Sequence, residues 1–411
     1  MVNVTGEYTG SHKWEFGLTS SRIAVAAAFV VNGALYGSWA ARVPALADQA
    51  GAGTGGLGLA LLGPSVAMIL TASPAAKACA RWGARPVLAL CLPAACLLLP
   101  LLGLAGSVWT LGLALALLGG LMGAVDVSMN IGAVAVVRQL DRPLMPVFHA
   151  GFSFGGLGGS LGAAVAAALA VEPAVQFGVI GVLGLTAVLA TVRAVPGERP
   201  AAEERPSGGY RQVMSRGRLW LLAGIAVCAA VAEGACAEWS ALFLVDARGF
   251  GEAGAAAAYS VFAVAIAVTR LTGERAQRRF GPYRLLVGSG ALAASGVFLA
   301  AVVPSGFAAY TGFALAGIGL AFCFPLAMDL AGAAGREPGG TGGERELGFV
   351  TTVAYAGLLG GPPVIGGVAT LTGLPGAMAL AGVVAVLIVP AALGARRLRP
   401  PVVLPADPVR S

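Results

Sequence analysis

The sequence predicts an all-α membrane protein of twelve transmembrane helices, built as two pseudo-symmetric six-helix halves. Three observations predict it. Of 411 residues, 57% are hydrophobic and only 11% charged, and the mean hydropathy is +0.84, whereas a soluble domain carries roughly a quarter of its residues as charges. Twelve apolar runs each approach the ~20 residues that a hydrocarbon core about 30 Å thick requires. The runs after residue 218 also repeat features of those before residue 194. So few charges cannot cover a water-facing surface of this size, and the apolar surplus needs lipid.

The first 21 residues are polar and mixed, so a cytoplasmic tail (1–21) without a cleavable leader is expected, and the first apolar helix directs insertion. That helix lies near 22–41. Spans two to six follow near 56–79, 86–105, 108–137, 145–170 and 174–193, and complete an N-terminal half over 22–193. Residues 194–218 contain Pro-Gly-Glu-Arg-Pro and Glu-Glu-Arg-Pro-Ser-Gly-Gly. That composition cannot bury a core and reads as a flexible cytoplasmic linker. Spans seven to twelve lie near 219–244, 254–276, 284–303, 307–331, 347–370 and 375–395 and form a C-terminal half over 219–395; 396–411 is a second cytoplasmic tail. An even number of spans puts both ends on one side. That side holds 24 of the 26 Lys and Arg, with only Arg42 and Arg248 opposite. The bias assigns it to the cytoplasm.

The halves repeat at a nearly constant offset. Ala80-Arg-Trp-Gly-Ala-Arg-Pro-Val-Leu88 follows span two, and Arg278-Arg-Phe-Gly-Pro-Tyr-Arg-Leu-Leu286 follows span eight, 198 positions later. Met129-Asn130 in span four precedes Met328-Asp329 in span ten by 199, and Asp48 precedes Asp246 by 198. Repeated halves with a midplane cavity between them are an architecture of secondary transporters.

Arg81-Trp82-Gly83-Ala84-Arg85 and Arg279-Phe280-Gly281 resemble the signature loop of the major facilitator superfamily, with Ala80 and Arg278 where its usual acid stands. Trp39-Ala-Ala-Arg-Val-Pro-Ala45, Gly123-Ala-Val-Asp-Val-Ser-Met-Asn130 and Met145-Pro-Val-Phe-His-Ala-Gly-Phe-Ser153 resemble the fucose-permease-like branch. So do Ala232-Glu-Gly-Ala-Cys-Ala-Glu-Trp239, Phe324-Pro-Leu326 and Gly361-Pro-Pro-Val-Ile-Gly-Gly367. These strings span essentially the whole chain and are most similar to a group of poorly characterised bacterial inner-membrane proteins. The resemblance implies the facilitator fold. It also implies proton coupling through an acid of the fourth helix, for which Asp126 is the counterpart. The acid that those proteins carry in the first helix is absent, and Asn32 is the polar residue there.

An ionisable group in hydrocarbon costs at least ~2.5–3.5 kcal/mol at a helix centre, so each embedded one is a candidate. Asp126 has Asn130 one turn away on the same face; its structural alternative is to satisfy a neighbouring helix. Glu233 lies roughly 21 Å into span seven, near its middle. Glu238 stands five residues further, beside Trp239, and reads as a coupling acid or as a gate paired with Arg42 at the same outer level. His149 is either a proton relay, since an unperturbed imidazole titrates near neutrality, or a corner cap bonded to Asn130. Arg270 and Glu274, one turn apart, are expected to pair with each other. Asp329, near Arg336, is an end charge or a cytoplasmic gate, and Arg42, Arg81, Arg85 and Arg279 complete the gating set.

Aromatic rings in a sugar site stack on the apolar face of the ring. Tyr36, Trp39, Phe148, Phe152, Trp239, Tyr259, Phe324 and Tyr355 are the aromatic candidates, against interfacial anchoring or lipid contact. With Asn32 and Asn130, the cavity set is Asn32, Tyr36, Trp39, Asn130, Phe152, Trp239 and Tyr355; Tyr36, Phe152 and Tyr355 have Asn32, Ser153, Thr351 or Thr352 nearby. Gly151, Gly155, Gly156, Gly158, Gly159 and Gly162 give span five a small face for close helix approach. Gly361-Pro362-Pro363 is expected to kink or break span eleven, which permits rocking, and it is similar to a Gly-Pro motif of antiporters.

Several function classes are excluded. The basic residues lie between apolar runs and form no contiguous face for nucleic acid. No Gly-Lys-Ser/Thr and no preceding strand accompany the glycines, so no phosphate loop is present. The six cysteines read as small buried hydrophobes. Two histidines, His12 and His149, are too few for most metal centres, and the His149–Ser153 pair has no oxyanion donors. No enzyme activity, metal or cofactor is expected. The reading is a secondary active transporter, acting as a monomer in the bilayer on a small polar solute, sugar- or nucleoside-like, and coupled to protons. In it Asp126 and Glu233 change protonation, and Trp39 and Trp239 help close the outer side. The alternatives are a proton-driven exporter of metabolites or drugs, and a non-transporting membrane sensor. The sensor predicts a long soluble element, whereas these loops are short.

Overall fold

The apolar runs become helices because lipid offers no partner for backbone polar groups, which must all bond within the segment. The computed structural model describes residues 8–140, 144–197, 213–335 and 344–398. The N-terminal half comprises α1 (Tyr8–Ala40), a short α2 (Val43–Gln49), α3 (Thr54–Trp82), α4 (Ala84–Leu102), α5 (Val108–Leu140), α6 (Met145–Ala168) and α7 (Pro173–Thr191). The C-terminal half comprises α8 (Gly217–Arg248), α9 (Glu252–Arg270), a short α10 (Gly273–Phe280), α11 (Pro282–Val302), α12 (Gly306–Ala334) and α13 (Glu344–Arg397). Residues 198–212 of the expected linker, the tail residues 1–7 and 399–411, and Arg336 lie outside the described residues.

Among the described residues, eleven helices are long and apolar enough to cross a membrane. The last, α13, has 54 residues, roughly 80 Å at a rise of 1.5 Å per residue, which exceeds two bilayer cores. Gly373 breaks it with φ 75° and ψ 170°, and its two arms are the eleventh and twelfth spans. The break therefore does not fall at Gly361-Pro362-Pro363, where one was expected. The helix passes through both prolines, and their neighbourhood is packed: a Cβ on Gly58 of α3 would lie 2.8 Å from the Pro362 carbonyl oxygen. Neighbouring helices make such prolines tolerable within a membrane. The eighth span is also shorter than expected. It ends at Arg270 because the following Gly-Glu-Arg-Ala-Gln-Arg-Arg-Phe is half charged, and that segment forms the wholly unburied α10.

The repeat reappears as matched backbone geometry. Gly83 (φ 89°, ψ 164°) and Gly281 (φ 74°, ψ 157°) end the two Arg-aromatic-Gly turns in a conformation essentially reserved for glycine. At the opposite end of the bundle, Gly51 (φ 61°) and Gly249 (φ 69°) form another pair 198 residues apart. Ala170 is the exception, a non-glycine at φ 53° that closes α6 while Val171 N–H bonds the Ala166 carbonyl at 2.8 Å. A left-handed L-residue costs roughly 1–2 kcal/mol. Ala170→Gly is therefore expected to raise stability by about 1 kcal/mol, read as a higher melting temperature in detergent; an unchanged or lower value would contradict the strain.

Within the halves α1 packs on α6, α3 on α5, α8 on α13 and α11 on α12. Across them α3 meets α13 and α6 meets α9, two seams related by the repeat. Arg42–Glu252 at 3.5 Å and Ser260–Ser160 at 2.9 Å cross the halves. The twin acids Asp48 and Asp246 also come within electrostatic reach there. All lie on the end away from the chain termini. The halves meet on that end, and a cavity lined by residues of both lies between them.

Candidate functional site

The cavity between the halves has a volume of about 420 Å³. α1 places Tyr36 and Trp39 on its wall, α6 places Phe152 and Ser153, α8 places Glu233 and Glu238, and α9 places Tyr259 and Arg270. Gly234, Ala235 and Ala237 also line it, so α8 is slim here and both carboxyls reach the space. The Tyr36 ring is the centre of an aromatic cluster, 5.3 Å from Trp39, 6.5 Å from Phe152 and 6.4 Å from Tyr259 between ring centroids.

The two acids of α8 differ in kind. Glu233 is paired: Arg270 Nη2 donates to Glu233 Oε1 at 3.1 Å and Oε2 at 3.4 Å, while Arg270 Nε donates to the Ala321 carbonyl at 3.4 Å. The expected Arg270–Glu274 pair is thus replaced. α9 ends at Arg270, so Glu274 belongs to α10 and pairs with Arg278 instead. Glu238 Oε2 is buried and has no hydrogen-bond partner, and neither has the Trp39 Nε1 donor on the same wall. The expected Glu238–Arg42 pair does not form. Arg42 lies in the turn between α1 and α2, where Nη1 meets Glu252 at the start of α9 and Nη2 donates to the Val171 carbonyl at 2.9 Å. Burial pushes the Arg42 guanidinium down from its ordinary value, and the Glu252 charge opposes that shift.

The remaining candidates sit elsewhere. Asp126 on α5 holds its own Asn130, whose Nδ2 donates to Asp126 Oδ1 at 3.2 Å and to the Asp126 carbonyl at 2.8 Å. The amide is therefore engaged within α5 and does not serve His149, whose ring stands edge-on to Phe29 at 5.3 Å. Asp126 is within electrostatic reach of Tyr355 on α13, and His149 of Arg270. None of Asp126, Asn130, His149 and Tyr355 lines the cavity. Asn32 is buried inside the N-terminal half with Nδ2 3.8 Å from Met129 Sδ. Trp239 is wholly buried in the seam, its ring 3.1 Å from where a Cβ on Gly366 would stand. Arg81 and Arg279 lie 5.6 Å over the adjacent Trp82 and Phe280 rings, Arg85 donates to the Val195 carbonyl, and Asp329 is near the end of α12. Sequence reasoning missed Arg270 as a cavity group. The available signal was an arginine ending an apolar run that also needed a partner for the acid of span seven. Among the described residues, no three His, Cys, Asp or Glu are grouped to hold a metal.

The Glu233–Arg270 pair faces an open cavity, which moderates its energetics. Arg270→Gln or Glu233→Gln alone leaves one charge without its partner and is expected to cost about 1–2 kcal/mol, less than a fully buried pair would. The double variant Glu233→Gln/Arg270→Gln should regain most of that in melting temperature. Simple additivity of the two losses would show that the groups do not interact.

A family profile of the Major Facilitator Superfamily matches residues 24–343. An uncharacterised MFS-type transporter of Yersinia pestis is 33% identical over 377 residues, covering 92% of this chain and 95% of its own. The membrane protein MosC of Rhizobium meliloti is 28% identical over 379 residues, covering 89% of this chain and 88% of its own. Among solved structures, a bacterial homologue of the human lysosomal transporter Spinster, inward-facing and unoccupied, superposes with TM-score 0.75 at 16% identity over 94% of this chain and 97% of its own. The nucleoside transporter NupG superposes with TM-score 0.71 at 12% identity over 93% of this chain and 98% of its own. These two likenesses establish the fold alone. With the profile match covering more than half of the chain and reaching into both halves, and a relative aligned over nearly its whole length, this chain belongs to the Major Facilitator Superfamily and is a membrane transporter of that fold.

Proposed function

We propose that this chain is a proton-coupled secondary transporter that moves a small polar solute across the bacterial inner membrane by alternating access. The observation that carries the reading is Glu238, whose buried carboxyl oxygen has no protein partner and faces a cavity between the halves. A carboxylate in that position is neutralised by a proton or by a bound cation. With both termini in the cytoplasm, the arrangement is inward-facing: Arg42–Glu252 and Ser160–Ser260 seal the outer end, and the cavity opens to the cell interior. In the cycle these outer contacts separate, Glu238 exchanges its proton with the outside, and the halves rock back. Asp126 with Asn130, and His149, stand on the inner side and form the proton's exit. Glu233 is held by Arg270 and keeps α8 against α9 through the cycle.

The strings similar to fucose-permease-like proteins favour a sugar- or nucleoside-like solute, and a nucleoside transporter shares the fold. The protein acts as a monomer in this reading, because each chain encloses its own cavity. Export of metabolites or drugs is the second reading, and the predominantly apolar and aromatic wall of the cavity favours it. Proteoliposomes with an imposed pH gradient test the proposal. Sugars, nucleosides and amines are offered while an internal dye reports proton movement. Solute-dependent proton flux is expected, and its direction separates uptake from export. Solute movement without proton movement would remove the coupling.

A further inference from the structure

We infer that the cavity takes a small organic ammonium ion, an amine carried on an apolar or ring-shaped body, with Glu238 as its counter-ion. The inference replaces the sugar- or nucleoside-like solute of the transport reading above with an amine, and it rests on that reading for the statement that the occupant is cargo. Charge carries the first part. Two carboxyls and one guanidinium line the cavity, and Arg270 pairs with Glu233 at 3.1 Å. One negative charge is left, and it sits on the acid whose Oε2 is buried without a partner. Asp126, His149 and Tyr355 lie outside the lining and do not compensate it.

Shape carries the second part. Tyr36, Trp39, Phe152 and Tyr259 gather within 6.5 Å of the Tyr36 ring centroid, and Tyr36 is within electrostatic reach of Glu238. Aromatic faces carry the negative end of the ring quadrupole and attract a cation. A carboxylate beside such rings matches an ammonium head in front of an apolar body. The unpartnered Trp39 N–H adds one donor for a ligand oxygen.

The wall itself carries the third part. Among the described residues no Asn or Gln side chain lines the cavity, whose uncharged donors are the hydroxyls of Ser65, Ser153, Tyr36 and Tyr259 and the Trp39 N–H; the two amides expected there are placed inside the N-terminal half, at Asn32, and on Asp126, at Asn130. A polyol recognised through its hydroxyls needs several fixed donors and acceptors. An ammonium needs one anion and leaves the rest of the molecule to rings and aliphatic side chains. The volume of about 420 Å³ is in the small-molecule range of ~300–1,000 Å³. Proton and ammonium would then occupy the same carboxyl in turn, so binding of either displaces the other.

The test uses the full chain in lipid nanodiscs and calorimetric titration with phenethylamine, compared with phenethyl alcohol, which has the same body and no charge. The amine is expected to bind about tenfold or more tightly than the alcohol, and Glu238→Gln is expected to abolish that preference while the alcohol still binds. Equal affinity of amine and alcohol in the unaltered protein would overturn the inference, as would a preference that survives Glu238→Gln. If that variant fails to fold, the amine-to-alcohol ratio of the unaltered protein decides alone. Proton flux in proteoliposomes separates the two claims. Flux driven by other solutes, with no amine preference, overturns the ammonium site and leaves transport standing. Amine preference without amine-dependent flux supports the site and overturns the amine as cargo, and absence of flux with every solute offered removes the transport reading.

Discussion

Glu238→Gln is expected to lower solute movement driven by a pH gradient by about a hundredfold, the upper end of ordinary coupling free energies. Glutamine keeps the volume and one acceptor at the cavity wall, but it has no proton to exchange. Tracer exchange of a solute that binds without relying on the charge, measured with equal pH on both sides, should persist in the variant, because that half-cycle needs no net proton movement. The unaltered protein should lose driven transport as the gradient collapses, whereas the variant should be indifferent to it. Glu233→Gln is the informative contrast. Its acid is already neutralised by Arg270 at 3.1 Å, so its effect should fall mainly on stability. Full gradient-driven transport by Glu238→Gln would transfer the coupling role to another acid, with Asp126 first in line.

The second large effect is structural and lies between α1 and α6. A Cβ on Gly155 would stand 2.0 Å from the Val30 carbonyl oxygen, and one on Gly33 2.0 Å from the Phe152 carbonyl oxygen. The obstruction is backbone on both sides, so no rotamer change relieves it, and the two helices must move apart by more than 1 Å along the contact. Overpacking of this kind costs roughly 1–3 kcal/mol and more where backbone blocks relaxation, so Gly155→Ala is expected to cost about 3 kcal/mol. Size-exclusion chromatography in detergent should show loss of most monodisperse protein. Gly158→Ala is the control: open space surrounds that position, and the change is expected to stay within about 0.5 kcal/mol. Equal behaviour of the two variants would refute the close approach. The same contact positions Tyr36, Trp39 and Phe152, so a surviving Gly155→Ala protein should also have weakened ligand binding.

The fold was legible because its causes act locally along the chain. Lipid requires long apolar helices, charges mark their ends, and a turn such as Arg-Trp-Gly or Arg-Phe-Gly fixes a backbone geometry that only glycine adopts easily. Gly83 and Gly281 stand as a repeat in the sequence and share φ and ψ in the structure. The prolines misled, because a missing N–H is a local fact while its cost depends on neighbours. Packing of α13 against α3 keeps the helix intact at Pro362, and the chain breaks at Gly373.

The acids and bases of the site were legible as residues but not as partners. Arg270 stands four residues from Glu274 and thirty-seven from Glu233, yet it pairs with Glu233. The helix end at Arg270 removes the nearer acid, and the adjacent helix brings in the farther one. Arg42 meets Glu252 in place of Glu238 for the same kind of reason. Hydropathy and spacing are enough to establish spans, halves and the short list of embedded charges. Which of those charges is compensated depends on helix rotation and on glycine-scale approach between helices, and neither leaves a trace in local composition. That is why Glu233 and Glu238, five residues apart on one helix and both on the cavity wall, have opposite electrostatic situations: one has a guanidinium from α9, and the other has a buried oxygen without a partner.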